Sequence, residues 1–196
     1  FGGELDTTAD ASSHNVFIGH DTGAGAWTTA TSGTNVGIGN YVMDAIMTGA
    51  DSNTAIGHNA LSGLTNGDGN VAIGSDAGND ITTGHNNVLI GLNAGDKSTD
   101  VGYAVIIGDQ AGGSNMTAAA DGTVAIGASA LAALTSGAGN TGIGYQSGDA
   151  MTSQAGCTLI GYNTGTTINH DDAIGTTAIG WSSCENITSG QQNTAV

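Results

Sequence analysis

The sequence contains no proline, no arginine, one lysine and few aromatic residues, and these shortages exclude several classes of protein. Seventeen Asp and Glu residues against Lys97 give a formal net charge of −16. Proteins that bind nucleic acids or anionic membrane surfaces need basic patches, so both partners are excluded. A membrane-spanning helix needs about 18 consecutive apolar residues. No run of that length is present, so membrane insertion is not expected.

Bulky apolar residues are also scarce. Hydrophobic residues make up 38% of the chain, but many of them are alanine, and aromatic residues make up 4%. A monomeric globular protein of this length would bury more side-chain volume. The 35 glycines and the high net charge would fit a disordered chain, unless the glycines are periodic.

The glycines are periodic, because the dipeptide Ile-Gly recurs at a basic spacing of 17 residues. We number the repeat from this isoleucine, which is position 0. It is occupied by Ile18, Ile38, Ile56, Ile73, Ile90, Ile107, Ile126, Ile143, Ile160 and Ile179, and by Val196 in an eleventh repeat. The repeat therefore predicts a single solenoid domain over residues 1–196, which we expect to be a segment of a longer fibre protein.

Positions −2 and 0 predict a short β-strand with one apolar face. Position −2 is always Val or Thr, and β-branched residues suit a pleated strand. Residues two apart point to the same side, so we expect positions −2 and 0 to face the interior and position −1 to face outward. Position −1 is mostly Ala or Gly, and its bulky exceptions are Phe17, Leu89, Ile106 and Leu159. An apolar outward stripe at position −1 would predict a partner surface.

A second apolar position, +8, predicts a second short strand that faces the same interior. Its residues are Ile46, Leu64, Ile81, Leu134, Met151, Ile168 and Ile187. A repeat of 17 residues is too short for a helix–strand unit, so it predicts one coil of an all-β parallel β-solenoid. Eleven coils at about 4.8 Å each would form a rod about 50 Å long. Asn at position −3 in seven repeats predicts a ladder of side-chain amides.

The repeat motif resembles that of known fibre proteins. The segment 70–78, Asn-Val-Ala-Ile-Gly-Ser-Asp-Ala-Gly, resembles the head repeats of trimeric autotransporter adhesins, the YadA-like left-handed parallel β-roll. The 17-residue form, seen in 53–61 followed by 64–67, is similar to repeats of phage tail-fibre proteins. The resemblance implies a homotrimeric, non-enzymatic rod that is extracellular, on a cell surface or a virion.

These observations favour a fibre or adhesin segment that attaches to a cell-surface glycan or protein and requires no cofactor. The sequence has no Gly-x-Ser-x-Gly motif, and no catalytic residues are predicted. Three alternatives remain: a subunit of a self-assembling extracellular filament, a glycan-degrading tailspike with paired carboxylates, and an ice-binding solenoid based on the Thr residues at position +9.

The main candidate site is a row of aromatic residues at position +2 of three consecutive coils. Tyr145, Tyr162 and Trp181 would stack about 4.8 Å apart on one edge of the rod and offer sugar rings a flat face. The alternative is a structural ladder that pads a subunit interface. Trp27, in a long coil, is a further candidate for glycan binding.

The three longest coils carry insertions, which in repeat proteins often form binding loops and otherwise reflect drift of surface loops. They contain Trp27, Asn115 and the run His170-Asp171-Asp172. That run could hold a cation, but exposed acidic clusters are usually solvated, so no metal site is predicted.

The two cysteines are predicted to be free thiols. Cys157 falls at position −3 and Cys184 at position +5 of the next coil, and on a coil that doubles back these positions lie well apart. A disulfide needs Cα atoms within about 7 Å.

Overall fold

The computed structural model describes residues 14–25 and 32–196 and contains one sheet of eleven parallel strands. Each strand pairs with the next along the chain, so the prediction of a parallel β-solenoid is confirmed, with about ten turns. The strands are β1 Val16–Ile18, β2 Val36–Ile38, β3 Thr54–Ile56, β4 Val71–Ile73, β5 Val88–Ile90, β6 Val105–Ile107, β7 Val124–Ile126, β8 Thr141–Ile143, β9 Thr158–Ile160, β10 Thr177–Ile179 and β11 Thr194–Ala195. A 3₁₀ turn covers Ala118–Ala120, and none of the described helical segments is long and apolar enough to cross a membrane.

The strands pair in the register that the repeat predicts. Val71 pairs with Val88, and Ile73 pairs with Ile90. The same alignment holds where a coil is longer, since Ile107 pairs with Ile126 across 19 residues. Insertions are therefore accommodated in the turns, and like residues stack along the rod.

Position −1 faces the interior, and the prediction that positions −2 and 0 face inward is wrong. Leu89 and Ile106 are fully buried, whereas Ile56 and Ile73 are each 37% exposed. The buried residues at position −1 include Ala55, Ala72, Leu89, Ile106, Ala125, Leu159 and Ala178. Side chains alternate across a strand, so position −1 shares its side with the buried Asn at position −3. The predicted outward stripe at position −1 is consequently not available to a partner.

The interior is narrow, and the side chains at positions −1 and +5 fill it in turn: where one is large, the other is small. Where the residue at position −1 is bulky, as at Leu89, the residue that faces it from position +5 of the preceding coil is a glycine, which provides space for the side chain. A Cβ on this glycine, Gly78, would lie 2.5 Å from Cδ1 of Leu89. Where position −1 is Gly142, the space is filled by Leu131 from position +5 of the preceding coil. This compensation explains how a chain with few large apolar residues still forms a continuous core.

Position +8 points into the core as predicted, but within the described residues it does not form a second strand. Leu64 and Ile81 are fully buried, and the backbone hydrogen bonds to the next coil converge here on one carbonyl. The Thr65 and Asn66 N–H groups donate to the Thr82 carbonyl at 3.0 Å and 3.2 Å.

The assignment of Ile46 to position +8 is wrong, because Ile46 is 52% exposed and Met47 is fully buried. The Thr48 N–H donates to the Thr65 carbonyl, so Thr48 occupies position +9 and the extra residue of this coil precedes Met47.

The predicted asparagine ladder is present. The Asn70 Nδ2 donates to Asn53 Oδ1 and the Asn87 Nδ2 donates to Asn70 Oδ1, each at 3.0 Å. Each amide also bonds backbone, for example from Asn70 Nδ2 to the Gly84 carbonyl at 2.9 Å. The consecutive amides stop at Ala104, whose N–H still donates to Asn87 Oδ1, and the same position carries an amide again at Asn140, which accepts from the Cys157 N–H. These amides satisfy backbone groups that the tight turn before each strand would otherwise leave buried and unpaired.

Candidate functional site

The aromatic row, which we define as Tyr145, Tyr162 and Trp181, lies on one edge of the rod as predicted. The Asn163 N–H donates to the Tyr145 carbonyl and the Ser182 N–H to the Tyr162 carbonyl, so the coils hold the three residues directly in line. The Tyr145 and Tyr162 ring centroids are 5.2 Å apart, and those of Tyr162 and Trp181 are 4.4 Å apart. Trp181 is 77% exposed.

The rings stack on one another, which changes what the row can bind. Their planes differ by only 17° and 20°, so the ring faces point along the rod. Tyr162 is covered on one face by Tyr145 and on the other by Trp181. The expected long flat surface for sugars is therefore absent, because the row presents ring edges sideways. Within the described residues, no other aromatic ring stacks on the outer face of Tyr145 or of Trp181.

The longest coils place their candidate residues at separate points. Trp27 lies outside the described residues. Asn115 is exposed and accepts a hydrogen bond from Thr99 Oγ1, whereas the next residue, Met116, is fully buried. His170 and Asp172 are exposed and 3.5 Å apart. Among residues 14–25 and 32–196, no three His, Cys, Asp or Glu side chains come together as metal ligands would.

A further surface is the outer sheet face, formed by positions −2 and 0 of β1 to β11 with Val196, which the sequence pattern had indicated to be internal. Every residue on it is Val, Thr or Ile, and none of the 17 acidic residues occupies either position. Ile18, Ile38 and Ile179 are 56%, 36% and 41% exposed. The sequence indicates this face, because positions −2 and 0 carry no charged residue in any repeat of a strongly acidic chain.

The size of the outer sheet face is that of an interaction surface. Eleven strands at about 4.8 Å and three residues at about 3.3 Å give a strip about 48 Å by 10 Å, or about 500 Å². This footprint is in the range of the largest apolar patch on a typical soluble monomer, and such patches are often functional. The residues are β-branched, so their side chains are stiff at χ1.

A second aromatic group lies towards the other end of the same edge. His20 and His58, both at position +2, flank Tyr41 with centroid distances of 5.5 Å and 5.7 Å. Both contacts are edge-to-face, with interplanar angles of 72° and 80°. Tyr41 sits at position +3, so the pattern of aromatic residues at position +2 does not include it.

Several carboxylates hold neighbouring coils together. Asp68 Oδ1 accepts from the Asp51 N–H, and Asp121 Oδ1 accepts from the Gly102 N–H, each at 2.8 Å. These carboxylates are at turns and replace a backbone acceptor between coils. Their contacts indicate a structural role, since each bonds the backbone of the adjacent turn.

The threonines at position +9 are similarly engaged with the next coil. Thr65 Oγ1 donates to the Thr82 carbonyl at 2.9 Å, and Thr135 Oγ1 donates to the Thr152 carbonyl at 3.0 Å. These hydroxyls do not form the open array that an ice-binding surface at this position would need.

Both cysteines are free, as predicted. Burial raises the pKa of the Cys157 thiol and of the Cys184 thiol above the ordinary value. The Cys157 thiol donates to the Ala173 carbonyl at 3.3 Å, so it fills an amide position of the ladder. The thiolate is the nucleophilic form of cysteine, and a raised pKa disfavours it at both positions.

Comparison of the chain with protein-family models, with curated proteins and with solved structures gives no match. The fold itself defines the chain as a parallel β-solenoid repeat protein.

Proposed function

We propose that the chain is a non-enzymatic fibre or adhesin segment that assembles through its outer sheet face and attaches to cell-surface glycans. The observation that carries this proposal is the outer sheet face itself: a charge-free strip of Val, Thr and Ile with a footprint of about 500 Å² on a chain of net charge −16. Such a strip gains free energy when a second copy covers it, because apolar area leaves water.

Assembly into a homotrimeric, left-handed rod is part of the same proposal, and it extends the resemblance to adhesin heads. The contact surface differs from the one expected from the sequence, since position −1 is inside and positions −2 and 0 are outside. Copies packed side by side with parallel axes would bury Ile107 and Ile126 of one chain against the same strip of another. The acidic residues, which lie elsewhere, would remain in solvent.

Attachment is assigned to the aromatic row at the edge of the rod. Aromatic rings offer sugars a surface for their C–H groups, and Tyr hydroxyl and Trp N–H groups add hydrogen bonds. A cell-surface protein is the other possible target. An extracellular location, on a cell or a virion, is the setting in which a rigid acidic rod of this kind would act.

The attachment proposal is tested by replacing all three residues of the aromatic row with serine, the residue that position +2 carries at Ser75. We expect the variant to lose binding to immobilised glycans while its mass and melting temperature stay unchanged. A matched control replaces Tyr103, which is 61% exposed and contacts His85 on another edge, with serine. Loss of stability with binding retained would show that the row is structural, and the glycan assignment would then be abandoned.

A further inference from the structure

The aromatic row ends abruptly at Ala128. The Gln146 N–H donates to the Ala128 carbonyl and the Ser129 N–H donates to the Asp109 carbonyl, so Asp109, Ala128 and Tyr145 lie in line at position +2 of three consecutive coils. Two coil spacings, about 9.6 Å, separate the levels of Tyr145 and Asp109. Position +2 of the intervening coil carries the small residue Ala128, and we call the site between Tyr145 and Asp109 the edge gap.

One wall of the edge gap is the free face of Tyr145. Tyr162 covers the opposite face at 5.2 Å, and within the described residues no other aromatic ring contacts Tyr145. The Tyr145 side remains 45% exposed although it is stacked. An apolar ring face that is held rigidly by a stack and open on one side is a preformed contact for a flat apolar partner.

The opposite wall carries an unused acceptor. Asp109 is exposed, and its carboxylate accepts no hydrogen bond from any described residue. This differs from Asp68 and Asp121, whose carboxylates bond the backbone of a neighbouring coil. A carboxylate accepts strong hydrogen bonds from hydroxyl groups, and nothing within the chain competes for this one.

We propose that the edge gap is a subsite for a single neutral pyranose ring, an inference that rests on the proposed glycan attachment. The sugar would place a C–H face on Tyr145 and donate hydroxyl hydrogens to Asp109. Ala128 is needed because a larger side chain would occupy the space of the ring. The net charge of −16 disfavours sialic, uronic or sulfated sugars, so the structure favours uncharged hexoses.

The test measures binding of immobilised neutral hexose oligosaccharides, with acidic oligosaccharides of matched length alongside. Ala128→Trp would continue the stack, as Trp181 does on Tyr162, and leave no room for a ring beside Asp109. We expect at least a tenfold loss of binding. The matched control is Ser75→Trp, which adds the same side chain at position +2 of a distant coil and should leave binding unchanged.

A second variant, Asp109→Ala, removes the acceptor without filling the gap and should weaken binding about tenfold, the effect of one lost hydrogen bond to a charged group. Because Asp109 is exposed, this variant should fold even if Ala128→Trp does not. Undiminished binding by both variants would overturn the edge gap while leaving glycan attachment intact. Preference for acidic sugars would overturn the neutral class, and a native chain that binds neither panel would contradict both proposals.

Discussion

The glycines that face the interior stabilise the core by leaving space for side chains of neighbouring coils. Gly78 has φ of +59° and is surrounded by Leu89, Leu61 and Ile81. Gly139 has a similar φ of +69° but would meet nothing within 4 Å if it carried a Cβ. The two positions therefore separate the cost of backbone strain from the cost of crowding.

Gly78→Ala should destabilise the fold by about 2–4 kcal/mol, because strain at positive φ adds to overpacking of the core. Gly139→Ala should cost about 1 kcal/mol, from strain alone. Urea unfolding of both variants measures the difference. Equal losses would show that the interior can expand around Gly78 and that positions −1 and +5 are not balanced.

The inside and outside of each strand were assigned the wrong way round because hydrophobicity alone ranks Ile above Ala. Period-2 alternation makes both faces of a strand equally regular and does not say which is buried. Two features of the sequence point to the correct face when they are combined. Asn53 lies on the same side as Ala55, and buried amides suit the inside of a turn. A bulky residue at position −1, such as Leu89, also occurs together with a glycine at position +5 of the preceding coil, here Gly78, as expected when both positions face one interior.

At the scale of the structural element, the asparagine ladder fixes each coil to the next just before the strand begins. Asn70 donates to Asn53 and Gly84 and accepts from the N–H and Nδ2 groups of Asn87. The ladder was predictable because like residues must stack in a parallel solenoid, and a buried amide can both donate and accept.

Asn70→Ala should cost about 2–4 kcal/mol, because it leaves the Gly84 carbonyl and the Asn87 N–H buried without their hydrogen bonds. Asn66→Ala, in the exposed turn of the same coil, serves as the control and should change the free energy of unfolding little. Thermal or urea unfolding measures both. If Asn70→Ala costs no more than the control, the ladder does not hold the coils together.

The turns of the coil also carry carboxyl groups that respond to pH. Burial raises the pKa of Asp149, whose Oδ1 is buried and accepts no hydrogen bond from the described residues. Burial likewise raises the pKa values of Asp44 and Asp96. A raised pKa means that the folded state binds protons more readily than the unfolded state, so stability increases as the pH falls towards the ordinary Asp value of 3.8.

The melting temperature should therefore rise when the pH is lowered from 7 towards this range, helped by weaker repulsion among the 17 acidic residues. Asp149→Asn should reduce the rise, because it removes one of the responsible groups. Asp76→Asn should act oppositely and destabilise the fold at pH 7. Hydrogen bonds from Ser75 and Asn59 lower the Asp76 pKa, so its ionised form favours folding. A melting temperature that falls steadily from pH 7 would contradict this assignment.

At the scale of the whole molecule, the period of the repeat predicted the number of coils and the order of the strands β1 to β11. It did so because parallel pairing of like residues satisfies the backbone groups of successive 17-residue coils. The second strand at position +8 was not realised, since two N–H groups of the turn, those of Thr65 and Asn66, converge on one carbonyl of the next coil, that of Thr82. The ends of the aromatic row could be read from the sequence, but the direction of its ring faces depends on stacking in three dimensions.

Position −1 is buried, and we propose that copies assemble through positions −2 and 0 on the outer sheet face. Ile106 and Ile107 separate the two faces, because they are adjacent and identical, and Ile106 is fully buried while Ile107 lies on the outer sheet face. The measurement is sedimentation equilibrium of Ile106→Lys and Ile107→Lys beside the native chain, with circular dichroism to report folding.

The native chain should sediment as a multiple, expected to be three, of 19.0 kDa. Ile106→Lys should fail to fold, since it buries an unpaired charge. Ile107→Lys should remain folded and sediment as a monomer. A folded Ile106→Lys chain would contradict the burial of position −1. An Ile107→Lys chain that keeps the native mass would contradict assembly through the outer sheet face.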